Sequence, residues 1–383
     1  MTDTTRNGIL AAGRGASRIR VLVVDDSLVI RRLVVDALGA DPQIEVVGVA
    51  ANGRIALDRI TQLAPDVVTM DVEMPEMNGI EAVRMLRRSH PRLPVVMFST
   101  MTERGAAATL DALAAGASDY VTKPSNVGSF AESQRNVREQ LIPKLKALTG
   151  RRRATAAPRP AAAPPAGNPG PRPRRTSPFG VLAVGCSTGG PDALATLLPT
   201  LATDLPVPVV VVQHMPPVFT RLLAERLDAQ SRVTVAEARD GEWLTAGRVL
   251  IAPGGRHLVV RRRGASAVVE LSDEPPENFC RPAVDVLFRS VADVYGDRVL
   301  AVVLTGMGRD GELGARTIRD AGGSVWVQDD ASSVVWGMPG AIANAGLASR
   351  VLPLSQIGRQ VAAALARPEP LPSVAGASVG VAP

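Results

Sequence analysis

Apolar residues along this chain fall into two alternating patterns. Short runs of Val, Leu, Ile and Ala are separated by stretches in which apolar positions recur three and four residues apart. In the first part of the chain the runs are IRVLVV, EVVGVA, DVVTM, PVVMF and DYVT, with helical spacing from Leu28 to Leu38 and from Gly79 to Leu86. Unbroken apolar runs predict strands buried on both faces, and the helices between them predict parallel crossovers. The same alternation returns after residue 178 with VLAVG, VPVVVVQ, RVLIAP, VLAVVLTG and SVWVQ. The expected fold class is therefore α/β, with two doubly wound parallel-sheet domains.

Between the two halves the pattern lapses. Residues 151–178 carry eight prolines and almost nothing able to pack, so a Pro/Ala/Arg linker is expected there. The expected layout is a first domain at 18–136, a connecting helix and flexible linker at 137–177, and a larger domain at 178–366. A disordered tail is expected at 367–383 and a disordered extreme N-terminus before the first domain.

Composition changes this picture in two places. The formal charge of +6 looks basic, yet seven arginines lie between Arg151 and Gly180 with no acidic residue among them. The remainder holds 36 Lys+Arg against 37 Asp+Glu, so no basic face is expected and nucleic acid is not an expected partner. Only two cysteines occur, Cys186 and Cys280, far apart and in no metal-ligand spacing or disulfide framework. Reduced thiols, no signal-type hydrophobic region in the first 18 residues and no apolar run near the ~20 residues of a membrane span point to a cytoplasmic protein without membrane insertion.

In parallel sheets functional residues collect just after the strands. In the first half Asp25 and Asp26 follow the first strand, Asp71 follows the third, Ser99 the fourth, and Lys123 the fifth. With strand order 2-1-3-4-5, three carboxylates converge on one edge. Their repulsion calls for a hard divalent cation, best met by Mg²⁺, and a lysine ammonium there could hold a phosphoryl oxygen.

In the second half GCSTGG at 185–190 lacks the lysine of a phosphate loop but fits G-x-S-x-G, a strand–turn–helix bend that exposes a serine hydroxyl. Leu194, Leu197, Leu198 and Leu201 carry the spacing of the helix that follows. Ser187 needs a base: His214 ends a strand and should share its edge, whereas His257 is expected to begin one. For the carboxylate that orients the imidazole, Asp310 competes with Asp329 and Asp330. Cys186, adjacent to Ser187, should face the other way and pack. The order Ser, His, Asp differs from the Ser, Asp, His order of α/β-hydrolases.

Two resemblances complete the reading. VVDDS at 23–27, MDVEMPEMNG at 70–79, FST at 98–100 and DYVTKP at 119–124 resemble the flavodoxin-like receiver domains of two-component response regulators. That resemblance implies Asp71 as the acceptor of a phosphoryl group from a chemotaxis histidine kinase and Asp25, Asp26 and Asp71 as the Mg²⁺ site. It also implies Ser99 as the switch hydroxyl, Lys123 as the phosphate contact and Tyr120 as a mobile aromatic. From about residue 180 to 350, GCSTGGPDAL, VVQHMP, LIAPGGRHL, RPAVDVLFRSVA, LTGMGRDG and QDDASSVVWGMPGAIA resemble the Rossmann-like catalytic domain of the chemotaxis protein-glutamate methylesterases (CheB). This implies a triad of Ser187, His214 and Asp310, with Thr188 and the Met307 backbone aiding substrate or oxyanion binding and no cofactor for the ester reaction. The implied substrates are glutamate methyl esters of chemoreceptors, with receptor glutamines deamidated by the same route. Cys280 and Ala283 flank Arg281-Pro282 where the family pattern carries polar residues.

Overall fold

The computed structural model describes residues 18–124, 129–155 and 179–366. The expected N-terminal disorder, the linker beyond residue 155 and the tail from 367 lie outside the described residues. The chain divides into two compact units, 1–160 and 161–383.

The first unit alternates β1 (Ile19–Val24), α1 (Leu28–Gly39), β2 (Ile44–Ala50), α2 (Gly53–Leu63), β3 (Val67–Asp71), α3 (Gly79–Ser89), β4 (Val95–Ser99), α4 (Glu103–Ala114), β5 (Asp119–Thr122) and α5 (Phe130–Thr155). Every strand pairing is parallel, in the order β2-β1-β3-β4-β5. The expected order is the observed one, because β3 and β4 are buried along their whole length and must lie centrally. Polar residues start the helices. The Asn78 side chain accepts from Glu81 N, and Glu81 returns a bond to Asn78 N, closing a capping box at α3. The connecting helix expected from residue 137 begins at Phe130 and packs on α1, with Val137, Leu141, Leu145 and Leu148 buried.

The second unit runs β6 (Val181–Cys186), α6 (Gly190–Leu197), β7 (Val209–Gln213), α7 (Pro217–Gln230), β8 (Thr234–Glu237), β9 (Arg248–Ile251), β10 (His257–Arg263) and β11 (Ser266–Ser272). It continues with α8 (Val284–Tyr295), β12 (Val299–Val303), α9 (Glu312–Asp320), β13 (Ser324–Gln328), α10 (Met338–Asn344), β14 (Arg350–Leu352) and α11 (Leu354–Leu365). Seven strands form one parallel sheet, ordered β14-β13-β12-β6-β7-β9-β8. The chain leaves β6 towards β7 and returns on its other side as β12, so the switch point lies at β6. The five apolar runs read from the sequence are its five inner strands. β8 and β14 at the edges are short and partly exposed, and the periodicity did not mark them. Beside the sheet, β10 and β11 form an antiparallel hairpin whose two-residue turn has Gly264 at φ +63°. The buried α8 residues Leu287, Phe288 and Val291 join the strands and the hairpin in one core.

Candidate functional site

At the carboxyl edge of the first sheet, Asp25 and Asp71 are buried while Asp26 is exposed. Lys123 stands between the two buried carboxylates, with Nζ 2.9 Å from Asp25 Oδ2 and 2.8 Å from Asp71 Oδ2. Burial, reinforced by the charge of Asp25, pushes the Asp71 carboxyl up to about 6 despite the ammonium beside it. Burial likewise raises Asp25. One lysine thus does not fully compensate these carboxylates, and carboxylate oxygens of Asp25, Asp26 and Asp71 approach within 4.8 Å of one another. Asp25 Oδ2, buried and held only by the ion pair, has no hydrogen bond of good geometry among the described residues. Such an all-oxygen donor set fits a hard divalent cation.

A cavity of about 270 Å³ opens here, lined among others by Asp26, Asp71, Ser99 and Lys123. Ser99 reaches the cavity wall, but its hydroxyl is engaged elsewhere: it donates to Gly105 O at 3.1 Å and accepts from Thr109 Oγ1 at 2.6 Å. Sequence reasoning did not point to Thr109, which lies on α4 ten residues away. Tyr120 is 7% exposed on β5, and its carbonyl accepts from Lys144 Nζ at 2.7 Å. The structure therefore gathers Asp25, Asp26, Asp71 and Lys123, places Ser99 at their margin, and holds Tyr120 inside the fold.

In the second unit the sheet register builds the site. Cys186 on β6 pairs with Gln213 on β7, so Ser187 and His214 are the next residues on two adjacent strands. The turn after β6 is pinned through its backbone. Ser187 N donates to Thr305 O at 3.0 Å, and Ser187 O accepts from Gly190 N at 2.7 Å. Gly189 opens α6 at φ +76°, a conformation L side chains rarely adopt. A Cβ at Gly190 would collide with the Gln213 amide. That amide ties the two catalytic candidates together: Gln213 Nε2 donates to Ser187 O at 3.1 Å and to His214 O at 3.3 Å. The polar end of the otherwise apolar run VVVVQ was the signal for it.

His214 Nε2 lies 2.8 Å from Asp310 Oδ2. Asp310 follows β12 and is 2% exposed, yet its carboxylate is richly bonded. Oδ2 also accepts Val284 N at 2.6 Å, while Oδ1 accepts Asp285 N at 3.0 Å, Gly311 N at 2.9 Å and Asn278 Nδ2 at 3.0 Å. Two of these donors are the free amides that begin α8, a natural anion site. Burial would raise the Asp310 carboxyl, but His214 and these amides hold it below the usual carboxylate range. The competitors do other work: Asp329 Oδ1 accepts Ser332 N, and Asp329 and Asp330 are exposed or half-buried beyond β13. His257 begins β10, is 1% exposed, and is spent on Pro275 O and Ala283 N.

Burial alone would lower the His214 imidazole, but the Asp310 hydrogen bond and the neighbouring Cys280 push it up to about 9. Its Nδ1 faces Cys280 Sγ at 3.5 Å. Among the described residues no hydrogen bond joins the Ser187 hydroxyl to the ring. Neither Cys280 nor Asn278, both on the segment before α8, was singled out by sequence as a neighbour of the site. Cys186 is fully buried, its thiol raised by that burial, and points to Val212 O, as a packing residue does. Thr188 is buried, its carbonyl accepting from Thr305 Oγ1 at 2.9 Å. Met307 follows Gly306, where an added Cβ would stand 3.0 Å from Ser187 Cβ.

Among the described residues no helix is long and apolar enough to cross a membrane. The sequence profile of the response regulator receiver domain matches residues 21–133, and that of the CheB methylesterase matches residues 182–361. A protein-glutamate methylesterase/protein-glutamine glutaminase of a Nocardioides species is 57% identical, the match covering 94% of this chain and 99% of that protein. The one from Trichodesmium erythraeum is 48% identical over 90% of this chain and 98% of its own length. The crystal structure of the Thermotoga maritima CheB methylesterase catalytic domain is 42% identical and covers 49% of this chain and 98% of that chain, with a TM-score of 0.48. A serine turn, an imidazole and a carboxylate at one sheet switch point, downstream of a parallel-sheet unit with three carboxylates at its own strand ends, agree with full-length relatives at this identity: the chain belongs to the protein-glutamate methylesterase/protein-glutamine glutaminase family.

Proposed function

We propose that this chain is a phosphorylation-activated hydrolase that demethylates glutamate methyl esters on chemoreceptors, releasing methanol, and deamidates receptor glutamines, serving chemotaxis adaptation. The domains carrying these roles are a receiver at 18–136 and a catalytic domain at 178–366. The observation that carries the reading is the 2.8 Å bond between His214 and Asp310 at the strand end beside Ser187.

With Nε2–H donated to Asp310, the imidazole presents Nδ1 as its basic nitrogen. Ser187 Oγ attacks the γ-carbonyl carbon of the ester as its proton passes to His214 Nδ1. The C–O bond to methoxide then breaks, and the imidazolium returns the proton to give methanol. Water, deprotonated by the same nitrogen, releases glutamate from the acyl-enzyme. For glutamine the leaving group is ammonia. The Thr188 and Met307 backbones are the proposed oxyanion contacts. The Ser187–His214 hydrogen bond forms on substrate binding, as catalytic bonds commonly tighten in the complex.

In the receiver, Asp71 is the proposed phosphoryl acceptor from a histidine kinase. Asp25, Asp26 and Asp71 would hold Mg²⁺, which when bound neutralises charge on the phosphoryl oxygens. Lys123 holds the phosphoryl group as a point charge, and Ser99 leaves Thr109 to meet it.

Methanol release from methylated receptor membranes, with and without a small phosphodonor, tests the reading. Ser187→Ala should abolish release, and Asp71→Asn should abolish the response to phosphodonor. Retained activity in the first removes the nucleophile assignment, and a wild-type response in the second removes the gating.

A further inference from the structure

The nitrogen that hydrolysis needs, His214 Nδ1, faces a thiol rather than open solvent. Cys280 Sγ lies 3.5 Å from it. A tetrahedral zinc ion with Zn–N about 2.0–2.1 Å and Zn–S about 2.3 Å holds its nitrogen and sulfur ligands about 3.5 Å apart. The pair therefore already stands at the separation of two ligands of one ion. Behind the ring, Asp310 Oδ2 takes Nε2 at 2.8 Å, the carboxylate–imidazole arrangement that orients metal-binding histidines and raises their basicity. Donor atoms of His214, Cys280 and Asp310 all lie within 4.8 Å of one another. Since the Asp310 oxygens are already occupied by backbone and Asn278 donors, its part is to orient the ring.

The site is reachable. His214 retains 12% side-chain exposure and Cys280 is half-buried, next to Phe279, which stands fully in solvent. We propose that His214 Nδ1 and Cys280 Sγ form a binding site for a thiophilic divalent cation of the zinc type, and that its occupancy stops hydrolysis by taking the lone pair that would accept the Ser187 proton. This rests on the reading of His214 as the base. Binding discharges the thiol proton to solvent, and water completes the coordination. Thiolate and imidazole discriminate against Mg²⁺, which the all-carboxylate cluster of the first unit suits, so the chain carries two cation sites of opposite preference.

The test uses the full-length chain in excess Mg²⁺. Cobalt(II) should develop thiolate-to-cobalt charge-transfer absorption that zinc displaces. The other thiol in the sequence, Cys186, is fully buried, so the band reports Cys280. Cys280→Ser should remove the band. Zinc at buffered concentrations should suppress methanol release, and a chelator should restore it. With each variant referred to its own metal-free rate, Cys280→Ser and Cys280→Ala should need at least about tenfold more zinc for half-inhibition. No band in the wild type, or a band that persists in Cys280→Ser, overturns the site. Equal zinc potency against wild type and Cys280→Ala overturns its control of the reaction. Failure of the hydrolase reading is distinct: it would show as no methanol release from the metal-free wild type, whether or not the cobalt band forms.

Discussion

Asp310 grips His214 through the same oxygen that receives the first amide of α8, at 2.8 Å from the ring nitrogen and 2.6 Å from Val284 N. The carboxylate is thus fixed by a helix end before it orients anything. Asp310→Asn keeps the shape but supplies an amide where two N–H groups need an acceptor. It should lower kcat about 10³–10⁴-fold with a modest change in KM. A buried donor left unmatched should cost about 1–3 kcal/mol, visible as a lower melting temperature. Methanol-release kinetics and calorimetry on the same variant check both halves.

As the proposed base, His214 must be neutral to act, and Asp310 with Cys280 raises it to about 9. The rate in the free enzyme should therefore climb as pH rises from 6.5 towards 9, with an apparent pKa well above the ordinary histidine value. Stability runs the other way. The folded state binds this proton more tightly than the unfolded state, so the contribution is full below 6.5 and fades as pH rises through about 9. Asp310, held low, adds stability above the ordinary carboxylate pKa of 3.8 that is lost as acid protonates it. A kcat/KM profile already flat from pH 6.5 upward would refute the first statement.

Lys123 is the cation shared by Asp25 and Asp71, with only 15% of its side chain exposed. Lys123→Met leaves two buried carboxylates facing each other and should cost up to about 3–5 kcal/mol without a divalent ion. Added Mg²⁺ should recover part of the loss, and a denaturation series with and without Mg²⁺ measures it. In the wild type Asp71 holds its proton up to about 6, against 3.8 for the ordinary carboxyl. Metal-free stability should accordingly fall as pH rises across that window, because the folded form binds the extra proton.

Gln213 joins the carbonyls of Ser187 and His214 with one amide. Gln213→Met fills the space but loses both bonds, with an expected cost of about 1–3 kcal/mol. As a positioning residue it should act on kcat more than on KM. A fall in kcat that only tracks the loss of folded enzyme, with KM unchanged, would point to a merely structural role.

Strands longer than four residues and buried on both faces were legible, because a run such as VVVVQ or VLAVV admits few other uses. The short edge strands Thr234–Glu237 and Arg350–Leu352 lack that signature: half their residues meet solvent and alternation over three or four positions is weak. Ser187 and His214 were legible from strand ends, whereas the choice of Asp310 over Asp329 needed the distance to the ring. Cys280 and Asn278 stayed hidden because 66 and 32 residues of sequence separate them from the side chains they touch, His214 and Asp310. Thr109 stayed hidden for a different reason: a threonine on a helix face carries no mark of the serine it engages.

The rung that pairs Cys186 with Gln213 sets the distance between the next two residues by sheet hydrogen bonds rather than by loop length. The part of the β6–β7 crossover beyond the shared GCSTGGPDAL motif, residues 195–208, can therefore lengthen, shorten or change composition at its exposed positions without moving the proposed reacting pair. Diversity among relatives, and latitude for an engineer, should concentrate in that crossover, while a one-residue slip between the two strands would separate the pair at once.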